Sequence, residues 1–403
     1  MRAARGFSLV EFMIAIVLGL LVTDAMIAMF MSVRSASRTT QGVGALSDSG
    51  RFALDTIEQA VRSAGNMACD STAPVVASGV PVIRVLSELN AGASPLVSDY
   101  SQPVAGYEAV GTAPGASLTI ANTPAAAASA SDWVTSPALG TDLDALLFAP
   151  PTPAGEAAPT GAIIAGSDVL VVHETLPGTR PAYTVAVATG APSFPISSST
   201  TFAGAGQIGA ISNCVQTEVF QVASFTPATM TVSLSGVVNP GNNGGTLSPN
   251  IDFQVGAQVD PIDTIAFYVG IGADGDGALY KYESNGGVLG DATYSVNQEL
   301  VPDVENMQIL YGIETAGSSA TETADQYVTA DQVANDSVTG DFNGVISVKI
   351  ALLVASPPGT VPRGTAVAAS PPDLLGDNWA LASADNRMRK VYEQTMFLRN
   401  MSP

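Results

Sequence analysis

The 403-residue sequence predicts an α+β protein in which one long N-terminal helix packs against a β-rich globular head. Residues 12–31 form an apolar run near the N-terminus, and residues 46–64 carry apolar side chains at helical spacing. After Cys69 the character changes to short runs of β-branched residues separated by Gly, Pro and Asn, which are typical of strands. The helix therefore comes first and the sheets follow, and an inserted second lobe is one option within residues 70–250.

In the N-terminal segment the candidate cleavage site comes before the apolar run, so the apolar helix would remain on the mature protein. A basic leader with Arg2 and Arg5 ends at Gly6, and the apolar run of twenty residues follows. An ordinary secretory signal is cleaved after its apolar core, so cleavage after Gly6 would leave the core on the mature protein. Twenty helical residues span about 30 Å, the thickness of one hydrocarbon core. Because basic residues stay on the cytoplasmic side, we expect the N-terminus inside and the rest of the chain exported.

Glu11 is an acidic residue at the edge of this apolar helix, and its position there is energetically unfavourable unless the charge has a partner. An acidic side chain at mid-membrane costs about 2.5–3.5 kcal/mol, and less near the edge. If the chain is cut between Gly6 and Phe7, Glu11 becomes the fifth residue and lies one turn from the new α-amino group. Two such helices packed with a small axial offset would pair the carboxylate of one with the amine of the other. The spacing predicts a helix that bundles with helices of its own kind.

Asp24 places a second carboxylate deep in the predicted span. Two interpretations stay open at this point. The side chain either extends to the interface or stays protonated, or it contacts a partner subunit.

The run from Gly6 through Phe7 to Glu11, set between a basic leader and a membrane-length helix, resembles the signal of a type IV prepilin. The resemblance implies that a membrane-embedded peptidase cuts after Gly6 and methylates Phe7. It also implies that Glu11 guides assembly of the helix into a filament. The alternatives are an uncleaved anchor and a conventional signal cut after residues 35–37.

Four further segments are similar to minor pilins of the PilW type: residues 49–55, 62–69, 304–312 and 389–400. This resemblance implies a minor pilin that takes part in the initiation of pilus assembly and is incorporated at or near the tip. The expected partners are other minor pilins, the major pilin, the prepilin peptidase and the inner-membrane assembly platform. The subunit would be a single-pass inner-membrane protein with a periplasmic head before it enters the pilus.

The expected division of the chain has three parts. Residues 1–6 are the leader, residues 7–68 the helix, and residues 69–403 the exported head. The helix divides into a segment that contacts lipid and later forms the filament core, residues 7–33, and an amphipathic segment, residues 41–68. The head divides into a variable region, residues 70–250, and C-terminal strands, residues 251–403.

The amphipathic segment has a single apolar face. Its members fall at spacings of three, four and seven: Leu46, Ala53, Leu54, Ile57, Ala60, Val61 and Ala64. Gly42 and Gly44 separate this face from the span, and glycine is a poor helix former, so we expect a weakened join there.

Strands are expected where β-branched residues cluster. The runs are residues 168–173, 230–234, 264–269, 299–312, 344–354 and 390–398. The Ala- and Ser-rich residues 124–131 and the Gly- and Asn-rich residues 239–250 are expected to be loops.

The charge of the chain argues against nucleic-acid binding. The formal net charge is -21, with 15 basic and 36 acidic residues, and Arg180 is the only basic residue between Arg84 and Lys281. Such a distribution offers no stripe of phosphate contacts. The acidity instead favours solubility of the exported surface.

Cys69 and Cys214 are the only cysteines, and an exported chain invites their pairing. A bridge would join the end of the helix to the middle of the head and would contribute roughly 4–5 kcal/mol at most. The alternative is two buried free thiols.

Candidates for catalysis or metal binding are few. His173 is the only histidine and ends an apolar strand, so a structural role is expected, and neither a zinc site nor a catalytic triad has enough members. Asp274 and Asp276 alternate with glycines as in a calcium loop, but the later glutamate is missing, and a hairpin turn before Ala278 is the favoured interpretation. We therefore expect no cofactor and no enzyme.

Two functions besides a minor pilin remain open. The low-complexity stretches within residues 110–250 suggest a tip-exposed adhesin or binding module. A minor pseudopilin of type II secretion shares the same N-terminal physics.

Overall fold

The computed structural model describes most of residues 9–401. The residues that it does not describe within this range are 72–74, 78–79, 83–84, 88, 90–96, 136–142, 144, 154, 158–159, 237, 239, 316–322, 334–340, 362–372 and 384.

Helix α1 runs without interruption over Leu9–Ser63, which is 55 residues or about 83 Å. It ends because Gly65 adopts a positive φ of 74°, the left-handed conformation that often follows a helix, and its N–H donates to the His173 carbonyl at 2.9 Å. The end therefore comes five residues before the predicted position 68. The glycines at 42 and 44 do not break the helix, so the expected weak join is not seen.

The strands are short in the first half of the head and long in the second. In chain order they are β1 (Asn66–Met67), β2 (Asp70–Ser71), β3 (Val75–Ala77), β4 (Val80–Val82), β5 (Val85–Ser87), β6 (Val104–Ala109), β7 (Ser117–Ile120), β8 (Trp133–Val134), β9 (Val169–Thr175), β10 (Ala182–Tyr183), β11 (Ser193–Pro195), β12 (Ile208–Ser212), β13 (Thr217–Gln221), β14 (Ser224–Thr226), β15 (Thr231–Ser233), β16 (Gln258–Ile271), β17 (Gly277–Glu283), β18 (Val296–Pro302), β19 (Val304–Ile313), β20 (Gln326–Val328), β21 (Val345–Ala355), β22 (Asn378–Leu381) and β23 (Arg389–Phe397). A one-turn helix, α2 (Ala145–Phe148), lies between β8 and β9. Short 3₁₀ helices cover Ala130–Asp132, Asn243–Gly245, Phe342–Gly344 and Arg399–Met401. Each of the predicted strand runs falls on one or more of these strands, which confirms them.

The largest sheet has ten strands, and β16 is its spine. The path is β5-β13-β12-β16-β9-β6-β8, with β10, β17 and β18 attached to it. The first residues of β16 pair with β10 and β12, whereas its later residues pair with β9 and β17. One continuous strand, β16, thus pairs with β10 and β12 at its start and with β9 and β17 further along, and so connects these two parts of the sheet.

The helix packs on the second sheet, whose strand order is β20-β19-β21-β23. Strand β21 is buried on both faces. Ile350, Leu352 and Val354 belong to the main core with the helix, while Ala351 and Leu353 pack on the other side with Trp379 of β22. This burial accounts for the almost continuous apolar sequence of β21.

A second apolar cluster lies within residues 182–259 and is separate from the main core. Four phenylalanines mark it: Phe194, Phe202, Phe220 and Phe253. The three-stranded sheet β11-β15-β14 contributes Phe194 and Val232, and β12 and β13 link the cluster to the spine. We call residues 182–259 the lobe.

Candidate functional site

The N-terminal half of α1 carries the predicted processing and assembly residues. Gly6 and Phe7 lie outside the described residues, which begin at Leu9. Glu11 is in the first turn of the helix, and its side chain is exposed. A carboxylate in the first turn is also favoured by the positive end of the helix dipole.

The helix from Leu9 to Val33 is covered by no other part of the described head. Its most apolar window has a mean hydropathy of 2.4 and is 0% buried, and by length and composition it is the one described helix suited to cross a membrane. The hydroxyl of Thr23 donates to the Gly19 carbonyl at 2.6 Å, so this polar side chain is satisfied within the helix. An apolar surface of this size, left bare by the chain itself, requires lipid or other subunits to cover it.

Asp24 lies on a different side of the helix from Glu11. Thirteen residues rotate an α-helix by about 1,300°, which leaves the two carboxylates about 140° apart around the axis and about 20 Å apart along it. A neighbouring helix that contacts Glu11 near its N-terminus therefore does not meet Asp24 on the same face. The same arithmetic puts Asp24 in line with Gly42 and Ala60, whose face points to the head further along the helix.

The second half of the helix is joined to the head along the predicted face. All seven predicted apolar residues are buried, and Gly42 and Gly50 extend the same stripe. A methyl group at Gly50 would lie 2.5 Å from Cδ2 and Cε2 of Tyr392 in β23. At Gly42 a methyl group would overlap the side chain of Thr360, whose carbonyl accepts a hydrogen bond from Thr39. The lack of a side chain at Gly42 and Gly50 therefore lets Thr360 and Tyr392 of the head pack directly against the helix backbone.

The end of the helix is held by the C-terminal residues of the head. Asn400 donates through Nδ2 to the Ala64 carbonyl at 2.9 Å and so satisfies a carbonyl that the helix leaves open. Gln394 of β23 donates to Glu58 Oε2 at 2.6 Å, and Glu58 also forms an ion pair with Arg62. These contacts fix the rotation of the helix against β23.

The cysteines pair as one of the two sequence interpretations predicted. Cys69 and Cys214 form a disulfide across 145 residues, with their Cα atoms 5.1 Å apart. Cys69 follows β1, and Cys214 occupies the turn between β12 and β13. The bond therefore joins the end of the helix to the strands that connect the lobe with the spine.

His173 has a structural position in the core. Its side chain is fully buried, and its ring nitrogens Nδ1 and Nε2 lie 2.9 Å from the Gln102 carbonyl oxygen and 3.0 Å from the Val97 carbonyl oxygen. Burial lowers the pKa of this imidazole. Its neighbour Glu174 is also buried beneath the helix end, and burial raises the pKa of Glu174 to about 7.

The aspartates of the weak calcium candidate lie in the hairpin turn between β16 and β17. The turn closes through the Gly272 N–H and the Asp276 carbonyl at 2.7 Å, and Asp274 accepts the Asp276 N–H at 3.0 Å. Asp303 joins them, with the three carboxylates within 4.8 Å of one another. However, Arg387 donates to Asp276 at 2.8 Å and also pairs with Asp303. The guanidinium thus supplies the positive charge of this cluster. Sequence reasoning missed it, because Arg387 follows Asp276 by 111 residues.

A second arginine joins the two C-terminal segments that carry the family resemblance. Arg389 in β23 is nearly buried and donates to both oxygens of Glu305, at 2.6 and 2.8 Å, and to Asp385. The hydrogen bonds from Arg389 lower the pKa of Asp385. A bidentate buried pair of this kind fixes the register of the strand that receives the helix.

A third polar group lies inside the main core, where Asp168 and Glu108 are both buried. Asp168, the residue before β9, accepts the N–H groups of Ala109 in β6 at 2.9 Å and Ile309 in β19 at 2.8 Å, and so joins these two strands at the start of β9. Burial, together with the neighbouring Asp168, raises the pKa of Glu108 well above its ordinary value.

Comparison with known families gives two matches. Residues 1–23 match the prokaryotic N-terminal methylation motif, and residues 266–400 match the Type IV Pilus-assembly protein W family. No curated protein and no solved structure matches the chain. The second match starts within β16 and ends at the residues that hold the helix, so it includes β23 and leaves out the lobe.

A methylation-type N-terminal signal, one long apolar helix and a β-rich head with a disulfide together define a type IV pilin. The match over residues 266–400, about a third of the chain, together with the N-terminal motif, supports a type IV pilin of the PilW type. Pilins of this family are structural rather than enzymatic proteins, and the bare apolar half of α1 fits a subunit that is anchored in a membrane.

Proposed function

We propose that this chain is a minor pilin that takes part in the initiation of type IV pilus assembly and is incorporated at or near the pilus tip. Before assembly it would sit in the inner membrane with a cytoplasmic N-terminus and a periplasmic head. Its partners would be other minor pilins, the major pilin, the prepilin peptidase and the assembly platform. In this role it acts as a structural subunit without catalysis of its own.

The observation that carries the proposal is the contrast between the two halves of α1. The half from Gly42 onward is docked on the head, whereas the half before Val33 is bare and apolar. A subunit of this form can leave the bilayer only if other helices replace the lipid around its N-terminal half. The proposed processing between Gly6 and Phe7, with methylation of Phe7, would complete the end that those helices meet.

The size of the head supports a minor rather than a major subunit. The seven-strand path of the large sheet covers roughly 30 Å at about 4.8 Å per strand, before the lobe is added. Helices in a bundle pack only about 8–10 Å apart. A filament built entirely from such heads would be crowded at every level, and a position at the end relieves that crowding.

Glu11 is proposed as the assembly contact. Its carboxylate would neutralise the α-amino group of a neighbouring subunit, so that two charges enter the filament core as a pair. Because this chain retains the carboxylate, it can dock against the N-terminus of a neighbour. This favours a place beside other minor pilins over the single outermost place.

The proposal is tested by counting pili and by locating the subunit. Deleting the chain should sharply reduce the number of surface pili, and antibody labelling of the head should mark filament ends. A Gly6→Leu variant is the matched control: it keeps the whole head, but cleavage at this site should fail, and intact mass should show the leader retained. Labelling spread evenly along the filaments, or a normal pilus number in the deletion strain, would contradict the proposal.

A second candidate, a tip-exposed binding module, is favoured by the surface of the lobe. Tyr183, Val185 and Val187 occupy alternate positions and are 44%, 51% and 55% exposed. Val255 is 62% exposed and lies beside them, because the Gly256 N–H donates to the Thr184 carbonyl at 2.9 Å. This apolar surface lies outside both family matches and is open to a ligand or a surface.

Substitution of this surface separates the candidates. A Val185→Asp, Val187→Asp double variant that keeps the pilus number but loses adhesion would support the binding module. Loss of pili in the same variant would support a role in assembly. A strain that lacks the chain and fails in protein secretion, while its twitching is normal, would indicate a type II secretion pseudopilin instead.

A further inference from the structure

Arg34 and Arg38 stand where the bare span of α1 gives way to the part that is docked on the head. They are four residues apart, so they project from one face of the helix and lie about 6 Å apart along its axis. Both side chains are exposed. The Arg34 guanidinium lies over the Phe30 ring, 5.2 Å from its centroid, so the two side chains share one side of the helix.

The two arginines belong to a groove between the helix and a loop of the head. Its volume is about 390 Å³, and the residues that line it are Phe30, Met31, Arg34, Ser35, Arg38, Gly359 and Thr360. The loop is held in place, because Thr39 Oγ1 donates to the Thr360 carbonyl at 3.2 Å and Thr360 Oγ1 donates to the Pro357 carbonyl at 2.6 Å. The absence of a side chain at Gly42 lets Thr360 approach this closely. The helix forms one side of the groove and the loop with Gly359 and Thr360 forms the other. Its apolar part is made by Phe30 and Met31, and its basic part by Arg34 and Arg38.

The charge of these two arginines is not balanced by the described part of the chain. The protein carries 36 acidic against 15 basic residues. Arg62, Arg387 and Arg389 each form an ion pair with a carboxylate, whereas neither Arg34 nor Arg38 does so among the described residues. Arg51 on the same helix has no ion pair among these residues either, so what distinguishes Arg34 and Arg38 is that both line one groove. Two guanidinium groups at one groove favour an anion from outside.

The position along the helix indicates which anion this is. From Phe12 to Val33 the helix covers about 33 Å, slightly more than one hydrocarbon core. With the start of the span at one face of the bilayer, Arg34 and Arg38 lie at the headgroup layer of the other face. Phe30 and Met31 lie one turn deeper, at the level of the acyl chains. After cleavage at Gly6, these arginines are also the first basic residues of the mature chain.

We propose that this groove binds the headgroup phosphate of an anionic lipid, with Arg34 and Arg38 on the phosphate and Phe30 and Met31 against the first part of an acyl chain. The inference rests on the proposed membrane orientation, with the head on the exported side. It gives the membrane-anchored form a role of its own: the lipid fixes the depth of the helix and holds the Thr360 loop against the helix until the subunit is extracted.

The test uses the full chain reconstituted into phosphatidylcholine vesicles, with and without phosphatidylglycerol. The readout is the association of spin-labelled phosphatidylglycerol relative to spin-labelled phosphatidylcholine. A basic residue near an anionic surface contributes roughly 1 kcal/mol. The relative association constant should therefore fall about 5-fold in Arg34→Gln or Arg38→Gln and about 30-fold in the double variant.

Arg51→Gln is the matched control. Arg51 is an exposed arginine on the same helix, about 20 Å beyond Arg38 and away from the groove, so its substitution removes the same charge. It should leave the lipid preference unchanged. An equal loss in Arg51→Gln would overturn the site in favour of a general charge effect.

Protease accessibility of the head in the same vesicles separates failure of the site from failure of the orientation. A correctly oriented protein without a preference for phosphatidylglycerol overturns the lipid site alone. A protein whose residues 12–33 do not span the bilayer overturns the proposed membrane position and the lipid site with it. If the double variant keeps its lipid preference but fails to enter pili, the groove instead takes a carboxylate of another subunit, and the lipid proposal is wrong.

Discussion

A methyl group added at Gly50 tests how the helix is seated on the head. The new carbon would lie 2.5 Å from two ring carbons of Tyr392 and 2.7 Å from a third. Ordinary carbon contacts are about 3.5–4.0 Å, so the ring or the helix must move by about 1 Å. Tyr392 has little room to move, because it is only 9% exposed and its strand is paired with β21 along its whole length.

The magnitude follows from two opposing effects. Overpacking in a filled core costs about 1–3 kcal/mol. Replacing Gly by Ala inside a helix contributes about 1 kcal/mol in the other direction. Gly44 provides the control, since it lies in the same helix and has no atom within 4 Å of an added methyl group. Gly44→Ala should therefore raise the free energy of unfolding by about 1 kcal/mol, and Gly50→Ala should fall about 1–3 kcal/mol below Gly44→Ala.

The assay is denaturant unfolding of the full chain in detergent micelles, followed by tryptophan fluorescence. The two tryptophans, Trp133 and Trp379, are both buried in the head, so the signal reports the head. A Gly50→Ala, Tyr392→Leu double variant should recover part of the loss, because the smaller side chain makes room for the methyl group. Equal stabilities of the two alanine variants would refute the seating of Tyr392 on Gly50.

Three further predictions concern charge, the disulfide and assembly. Burial raises the pKa of Glu174 from 4.5 to about 7, so the folded chain keeps a proton that the unfolded chain loses. The stabilisation is present below pH 4.5 and is lost as the pH rises, so the free energy of unfolding should fall by about 3 kcal/mol up to pH 7. Glu174→Gln should flatten this part of the pH profile, and an unchanged profile would count against the buried position of the carboxyl. Replacing Cys69 and Cys214 with Ser should lower the free energy of unfolding by up to about 4–5 kcal/mol. Reduced wild-type protein should then unfold at the same denaturant concentration as the double variant. A double variant as stable as the oxidised protein would contradict a stabilising role of the disulfide. Glu11→Ala should insert into the membrane normally but should enter pili poorly, as measured by its amount in sheared pilus fractions. A normal amount there, with no other subunit compensating, would argue against the pairing of carboxylate and amine.

Local spacing predicted the elements of this fold well. The apolar residues of the amphipathic segment are buried at every predicted position, because the period of 3.6 residues is a property of the helix itself. The run of β21 and residues 264–269 of β16 were equally clear, since both faces are buried there and the sequence is almost continuously apolar. The first six residues of β16, which include Asp260 and Asp263, were not predicted.

Features that depend on distant partners could not be predicted. Gly42 suggested a weakened join, because its partner Thr360 is more than 300 residues away in the sequence. The parallel pairing of β7 with β22 joins segments about 260 residues apart and leaves no local trace. In the same way, the alternation of aspartates and glycines favoured a hairpin turn and gave only a weak calcium candidate. It could not show Arg387, which pairs with Asp276 and Asp303 from another part of the chain.

The seating of the helix on β23 also sets an order of events during synthesis. The apolar face near Ile57 emerges early, whereas the strand that covers it and the Asn400 that caps it come about 340 residues later. At roughly 5–20 residues per second, that interval is on the order of 20–70 s. Throughout this interval the apolar face near Ile57 is not yet covered by β23 and is open to premature contacts. Docking of the helix is therefore a late event that only a chain synthesised to the end of β23 can reach, so a truncated subunit cannot present a finished head to the assembly machinery.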